Sequence, residues 1–354
     1  MYCDRRVARV QTWYWKKPPD AEMRVPDYFK YSLCFLCFKS GINTIYGGTA
    51  FFVRYGNPLD QVWEYLVTAK HCVKMALRDY GTLYARFNRW DDSSGLMELP
   101  NEWIFPDDEE VDIAILPREP QARGPQIIAE SFIQAGIMTG GFLNKERIEP
   151  SGVGIGDDIF MLGLFTLRHG RGKNIPILRS GAIAAMPEEP MFNEQTGRPY
   201  EAFLIETRSI AGLSGSPVYV MLRGKAAKAY PSASGGVFAM EGPIDELIGV
   251  LLLGIIRGHW DMKREDSGVD FAGDLDSTIN TGIAIVTPAW EILNLIENNP
   301  KLKANREKDK EARLKRSAPT LDSGFQGQAR AEGFTQADFE AALRKVGRKI
   351  EMDK

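Results

Sequence analysis

Histidine and cysteine are scarce in this chain, with three and four respectively among 354 residues. So few leave little room for an imidazole- or thiolate-rich metal centre. Cys34 and Cys37 do form a Cys-x-x-Cys, but it lies within Leu33-Cys34-Phe35-Leu36-Cys37-Phe38. Three positions apart on a strand, the two thiols face opposite sides. With no second pair and no histidine nearby, no zinc site is expected, and nothing in the sequence asks for a cofactor. Long apolar runs are missing too. The stretch 250–256 is too short to cross a bilayer and reads as a buried strand, so no membrane partner is expected. Met1-Tyr2-Cys3-Asp4-Arg5-Arg6 has no apolar core behind it, which argues against a secretory signal. Neither sign of charge dominates, since the net charge is −3 and the pI about 5.8. There is therefore no global basic field for nucleic acid.

What the chain has is chemistry in three places. Ile210-Ala211-Gly212-Leu213-Ser214-Gly215-Ser216-Pro217-Val218 sets a serine between glycines, ahead of a proline and a β-branched run. Glycine permits tight turns with φ > 0 and close backbone approach, and Pro217 can enter a strand only at its start or edge. A serine becomes a nucleophile only when a base lies within hydrogen-bond reach and a third group orients that base. Tyr65-Leu66-Val67-Thr68-Ala69-Lys70-His71-Cys72 is an apolar strand ending on a histidine, and Val111-Asp112-Ile113-Ala114-Ile115-Leu116-Pro117 puts one carboxylate at the head of another. Each alone has a plain structural reading: a turn hydroxyl, a strand-end histidine, a cap.

Together, in the order His, Asp, Ser, the three resemble the signature motifs of the trypsin-like (chymotrypsin-fold) serine proteases. α/β-Hydrolases carry the same groups in the order Ser, Asp/Glu, His, on a Gly-x-Ser-x-Gly elbow that is not matched here. The resemblance covers roughly residues 42–298. It implies an all-β fold of two six-stranded antiparallel Greek-key barrels, with a C-terminal helix and a helical tail. It also implies a serine endopeptidase acting on protein or peptide, with His71 as base, Asp112 as its orienting partner and Ser214 as nucleophile. The N–H groups of Gly212 and Ser214 would form the oxyanion hole. By the same matching Arg208 falls at the base of the specificity pocket, where it would favour an acidic side chain unless it points to solvent. Leu252, Leu253 and Gly254 would pair with extended substrate, and Gly254 with Gly282 would leave the pocket walls open.

Departures from the pattern are informative. Leu213 stands where secreted members carry an aspartate that binds a freshly cut N-terminus, so no such activation is expected. The Gly-x-Ser-Gly-Ser-Pro form is similar to the glutamyl-endopeptidase and bacterial trypsin-like branch. The histidine those endopeptidases place in the substrate strand is not evident in Gly249-Val250-Leu251-Leu252. Tyr46 occupies the place of the usual partner of Cys72, so reduced cysteines and an intracellular, cytoplasmic protein are expected. His169 and His259 receive no role. The rival from another class is a catalytically silent trypsin-like module that binds proteins. An esterase would share the chemistry but has the wrong order and elbow.

The organisation expected is an N-terminal extension over 1–27, whose Trp13-Tyr14-Trp15 would pack on the following domain or form a partner site, and then a protease domain over 28–298. Within that domain, barrel 1 covers about 28–135 and barrel 2 about 150–288, with 119–149 crossing between them. Strands are expected at 28–39, 48–55, 63–69, 82–89 and 112–116, with a short helical turn over 73–77. A second set falls at 156–163, 179–183, 203–207, 217–221, 248–256 and 282–286, followed by a helix over 288–298. Residues 299–354 carry 14 Lys/Arg against 9 Asp/Glu, a surplus of five. They read as a charged linker and then an amphipathic helix, on which Phe339, Ala342, Leu343, Val346 and Ile350 share a face. That face would dock on the body, a second copy or a partner.

Overall fold

The computed structural model describes residues 25, 28–57, 61–89, 91–118, 136–207, 212–223, 247–263 and 278–317. The aromatic segment at 13–15, most of the expected crossover, Arg208 and the amphipathic face at 339–350 lie outside these residues. The chain divides into two compact units, Met1–Asp309 and Lys310–Lys354. Of the second, only the helical residues 310–317 are described.

In the first unit, one helical turn, α1 (Tyr28–Tyr31), leads into β1 (Leu33–Ser40), β2 (Asn43–Gly56) and β3 (Val62–Thr68). Helix α2 (Lys70–Tyr80) comes next, and then β4 (Tyr84–Asn88), β5 (Ser94–Glu98), β6 (Ala114–Pro117) and β7 (Ile137–Met138). These strands make one sheet in the order β5-β4-β1-β2-β3-β6, with β7 added in parallel to β2. A closed six-stranded antiparallel barrel was expected here. Among the described residues no ladder joins β5 to β6, and the parallel β7 breaks the antiparallel pattern.

The second half opens with helix α3 (Lys145–Ser151), which begins inside the stretch read as a crossover and runs past its end. Next come β8 (Asp158–Gly163), β9 (Ile177–Ala185), the small hairpin β10 (Met191–Phe192) and β11 (Pro199–Tyr200), and β12 (Phe203–Glu206). The last strands are β13 (Pro217–Arg223), β14 (Leu247–Lys263) and β15 (Thr278–Pro288). Here the barrel does close, all antiparallel, in the order β12-β15-β14-β13-β8-β9. The protein is thus mostly β, with one closed six-stranded barrel and a few helices.

Why the strands read as unbroken apolar runs is clear from the cores. On β2, Ala50 and Phe52 face one core with Leu66, Ala114 and Leu116, which α2 covers with Cys72, Val73 and Ala76. Phe51 and Val53 face the other way, joining Val67, Ile113 and Ile115. That second core is shared with the barrel through Phe160, Leu162, Tyr219, Leu252 and Ile255. Ile159, Met161, Val218, Val220, Leu251 and Leu253 fill the barrel interior. Strands buried on both faces lose the alternation of half-exposed ones. Ile113, the residue after Asp112, belongs to this shared core.

Helices α4 (Ala289–Asn298) and α5 (Pro300–Ser317) close the described chain. α4 buries Ala289, Ile292 and Ile296 in the shared core. α5 corrects the linker reading of 301–316. Leu302 packs into the same core, and buried Arg306 donates to Tyr65 Oη at 3.1 Å and to Ile296 O at 2.7 Å. Charged composition hid this, because two anchoring side chains suffice when most of the described residues around them, over 301–314, face water. No described helix is long and apolar enough to cross a membrane.

Candidate active site

His71 does not end a strand. It is the second residue of α2, whose N-cap is Ala69, in extended conformation and without a side-chain cap bond, and whose end is set by Gly81 at φ 73°. First-turn N–H groups of a helix have no intrahelical acceptor. The His71 N–H finds Asp112 Oδ1 at 2.9 Å, and the same carboxylate takes the imidazole Nδ1 on Oδ2 at 2.7 Å. Asp112 is therefore a helix cap and a histidine partner at once, gripping the residue through backbone and side chain. The Nδ1 bond needs hydrogen on Nδ1, so the neutral ring carries its lone pair on Nε2. Asp112 is buried, while the His71 side chain is 47% exposed.

Electrostatics follow the geometry. Burial opposes charge on His71, but the hydrogen bond to Asp112 and the neighbouring Cys72 sulfur outweigh it, and its pKa is pushed up from 6.5 to about 10. Burial likewise works against ionised Asp112, yet the bonds from His71 hold it below its usual value. The loop carrying Asp112 is clamped on both sides. Buried Lys70 donates to Glu109 O at 2.7 Å, and Lys74 pairs with Glu109 at 2.9 Å. On the other side, Glu110 accepts from Asn193 and Thr196, at 2.7 and 2.6 Å. Arg257 of β14 donates to Glu110 O at 2.6 Å and stacks 4.0 Å from the centroid of the Tyr200 ring. None of Lys70, Glu110 or Arg257 was singled out from sequence. A lysine inside Val67-Thr68-Ala69-Lys70-His71-Cys72 was the visible signal, since a charge in an apolar run must be paired.

The Ser214 turn lies beside this histidine. A methyl on Gly215 would come within 3.0 Å of Ala69 N, and one on Gly48 would lie 3.1 Å from Cys72 Sγ and 3.4 Å from Ser214 O. Gly212 and Gly215 have φ of 95° and 79°, conformations that favour glycine. All three carbonyls of the turn are bonded inward: Gly212 O to Thr49 Oγ1 at 3.1 Å, Leu213 O to Ser216 N at 2.9 Å, Ser214 O to Thr49 N at 3.0 Å. Leu213 is fully buried beneath it. Among the described residues the neighbour of His71 Nε2 is Cys72 Sγ at 3.4 Å, and no hydrogen bond joins it to Ser214.

The residues expected to bind substrate fare differently. Leu252, Leu253 and Gly254 lie in the middle of β14. Leu252 pairs with Tyr219 on one edge and bridges Phe142 on the other, with Leu143 N donating to Leu252 O at 2.9 Å. Gly254 is opposite Val218 and Pro288, and a methyl there would collide with Thr287 O. The edges of Leu252 and Gly254 are taken, so neither can pair with substrate. The β13 ladder ends at Ile255, Ile256 exchanges bonds with Gly215 and Ser216, and β14 continues through Arg257 and Gly258 beyond its β13 partner. β14 runs on past Gly254 to Lys263. Gly282 is half-buried with φ 81°, and its carbonyl accepts from Thr207 N at 2.8 Å. No cluster of three or more metal-ligating side chains occurs among the described residues.

Comparison with known proteins adds little to this geometry. No family model and no curated protein matches the chain. It is similar to solved structures, among them one titled "Crystal structure of Deg5", at 15% identity and a TM-score of 0.35. That match covers 54% of this chain and 77% of the other. The likeness is too slight to carry an argument about activity, and the reading rests on the site itself.

Proposed function

We propose that the chain is a serine endopeptidase of the trypsin-like kind, working through His71, Asp112 and Ser214. The observation that carries this is the two-oxygen grip of Asp112 on His71, beside a glycine-flanked serine turn whose carbonyls are all held inward. Ser214 Oγ would bond to a peptide carbonyl carbon while its proton passes to His71 Nε2. The carbonyl oxygen, now negative, is met by the N–H groups of Gly212 and Ser214, donors worth on the order of 10²–10³ each in rate. As the C–N bond breaks, Nε2 returns the proton to the leaving amine, and water then hydrolyses the acyl-enzyme. Extended substrate would lie along Arg257 and Gly258, where β14 outruns β13. An acidic preference through Arg208 belongs to the same proposal, as does action in a reducing compartment, in keeping with free Cys34, Cys37 and Cys72.

A second reading, a silent protein-binding module, is favoured by one observation: Nε2 faces Cys72 and is not bonded to Ser214. Resting enzymes often tighten this contact only with substrate bound. A fluorophosphonate probe decides between the two. In an active enzyme Ser214 Oγ bonds to phosphorus, fluoride leaves and mass spectrometry places the adduct on Ser214. Ser214→Ala then abolishes labelling and lowers turnover by up to ~10⁶. Native protein that is never labelled is the silent module.

A further inference from the structure

Leu213 offers no charge with which to order the turn, so something else must hold Gly212 and Ser214 in place. We infer that Thr49 of β2 is the positioning residue for this turn, an inference that rests on the protease reading for its catalytic consequence but not for its structural one.

Thr49 is fully buried and makes four hydrogen bonds to three different segments. Its N–H donates to Ser214 O at 3.0 Å, and its carbonyl accepts from Thr68 Oγ1 at 2.7 Å. Its hydroxyl accepts from Leu164 N at 2.9 Å and lies 3.1 Å from Gly212 O. The direction of these bonds needs no assumption. The Leu164 amide brings its own hydrogen, so the single hydroxyl hydrogen of Thr49 goes to Gly212 O.

That bond fixes the orientation of the peptide after Gly212. Glycine at φ 95° has no side chain to resist rotation, so the turn depends on external partners for its shape. With the hydroxyl gone, Gly212 O would be left buried without a donor, and rotating the peptide outward relieves it. That rotation carries the neighbouring N–H groups away from the positions an oxyanion needs. The bond from the Thr49 backbone to Ser214 O survives any substitution, so the strand and the turn's attachment remain.

Thr49→Val removes the hydroxyl at nearly constant volume, and Thr49→Ser keeps it. Fluorophosphonate labelling of Thr49→Val should slow by about 10- to 100-fold, and peptide turnover should fall in kcat with little change in KM. Thr49→Ser should label at close to the native rate. Hydrogen–deuterium exchange over 212–216 should rise in Thr49→Val and not in Thr49→Ser. If Thr49→Val does not fold, Thr49→Cys replaces it, its weak thiol donor giving an intermediate rate. Native-rate labelling and native exchange in Thr49→Val, or an equal loss in Thr49→Ser, would overturn the inference. Native protein that never labels overturns the protease reading alone, and the exchange comparison still decides the role of Thr49.

Discussion

Replacing Asp112 with asparagine tests the electrostatic heart of the site, because the carboxylate has two separable effects on His71. Burial alone would lower the imidazole pKa, but the bond to Asp112 and the Cys72 sulfur raise it from 6.5 to about 10. Water reaches the 47% of the side chain that is exposed and screens the pair, so the midpoint falls above 6.5 and no higher than about 10. Attack needs the neutral ring. The labelling rate should therefore be low in acid and climb as pH rises through that midpoint. Asp112→Asn removes the largest raising cause and leaves burial opposed only by the Cys72 sulfur, so the midpoint should drop. The amide can also donate to Nδ1, which moves the ring hydrogen to Nε2 and lowers the plateau rate by about 10⁴. The assay is the second-order rate of fluorophosphonate labelling against pH for both proteins. A native midpoint at or below 6.5, or one that Asp112→Asn leaves in place, would refute the reasoning. Folding stability has its own sign: the raised His71 pKa stabilises the fold below 6.5 and that contribution is lost as pH rises through the folded value. The lowered Asp112 pKa contributes above its unfolded value and is lost in acid as pH falls through the folded one.

Two substitutions test the supports around the site. Gly215→Ala forces a side chain onto φ 79° and drives its methyl into both Thr49 O and Thr68 Oγ1. The strain and overpacking should cost about 2–5 kcal/mol in urea unfolding, and a loss under about 1 kcal/mol would contradict the packing described. Arg306→Met leaves Tyr65 Oη and Ile296 O without their donor, which should cost about 1–3 kcal/mol. An unchanged midpoint of thermal unfolding would mean that α5 does not hold β3 in the way its bonds suggest.

Much was legible from local sequence. Glycine at 212 and 215 marked a turn with positive φ, and Pro217 marked the start of β13, because these constraints belong to single residues. The apolar runs at 65–69, 112–116 and 217–221 announced strands because side chains needing burial on both faces leave a continuous signature. Three residues with separable chemistry could be picked out, and the tertiary structure brings His71 and Asp112 into contact with the Ser214 turn alongside. What the sequence could not show depended on who meets whom across the fold. That Asp112 caps α2 as well as pairing with the ring required the helix to begin one residue before His71. Thr49 looked like any strand threonine until the Gly212–Ser214 turn, Leu164 and Thr68 converged on it from three separate segments. Leu252 and Gly254 seemed free to pair with substrate until β13, β15 and Phe142 took their edges. The charged stretch after 299 looked like a linker until Leu302 and Arg306 found places in the core. Backbone conformation is set by each residue's own sterics, whereas hydrogen-bond partners and register are set by surfaces that exist only once distant strands have packed.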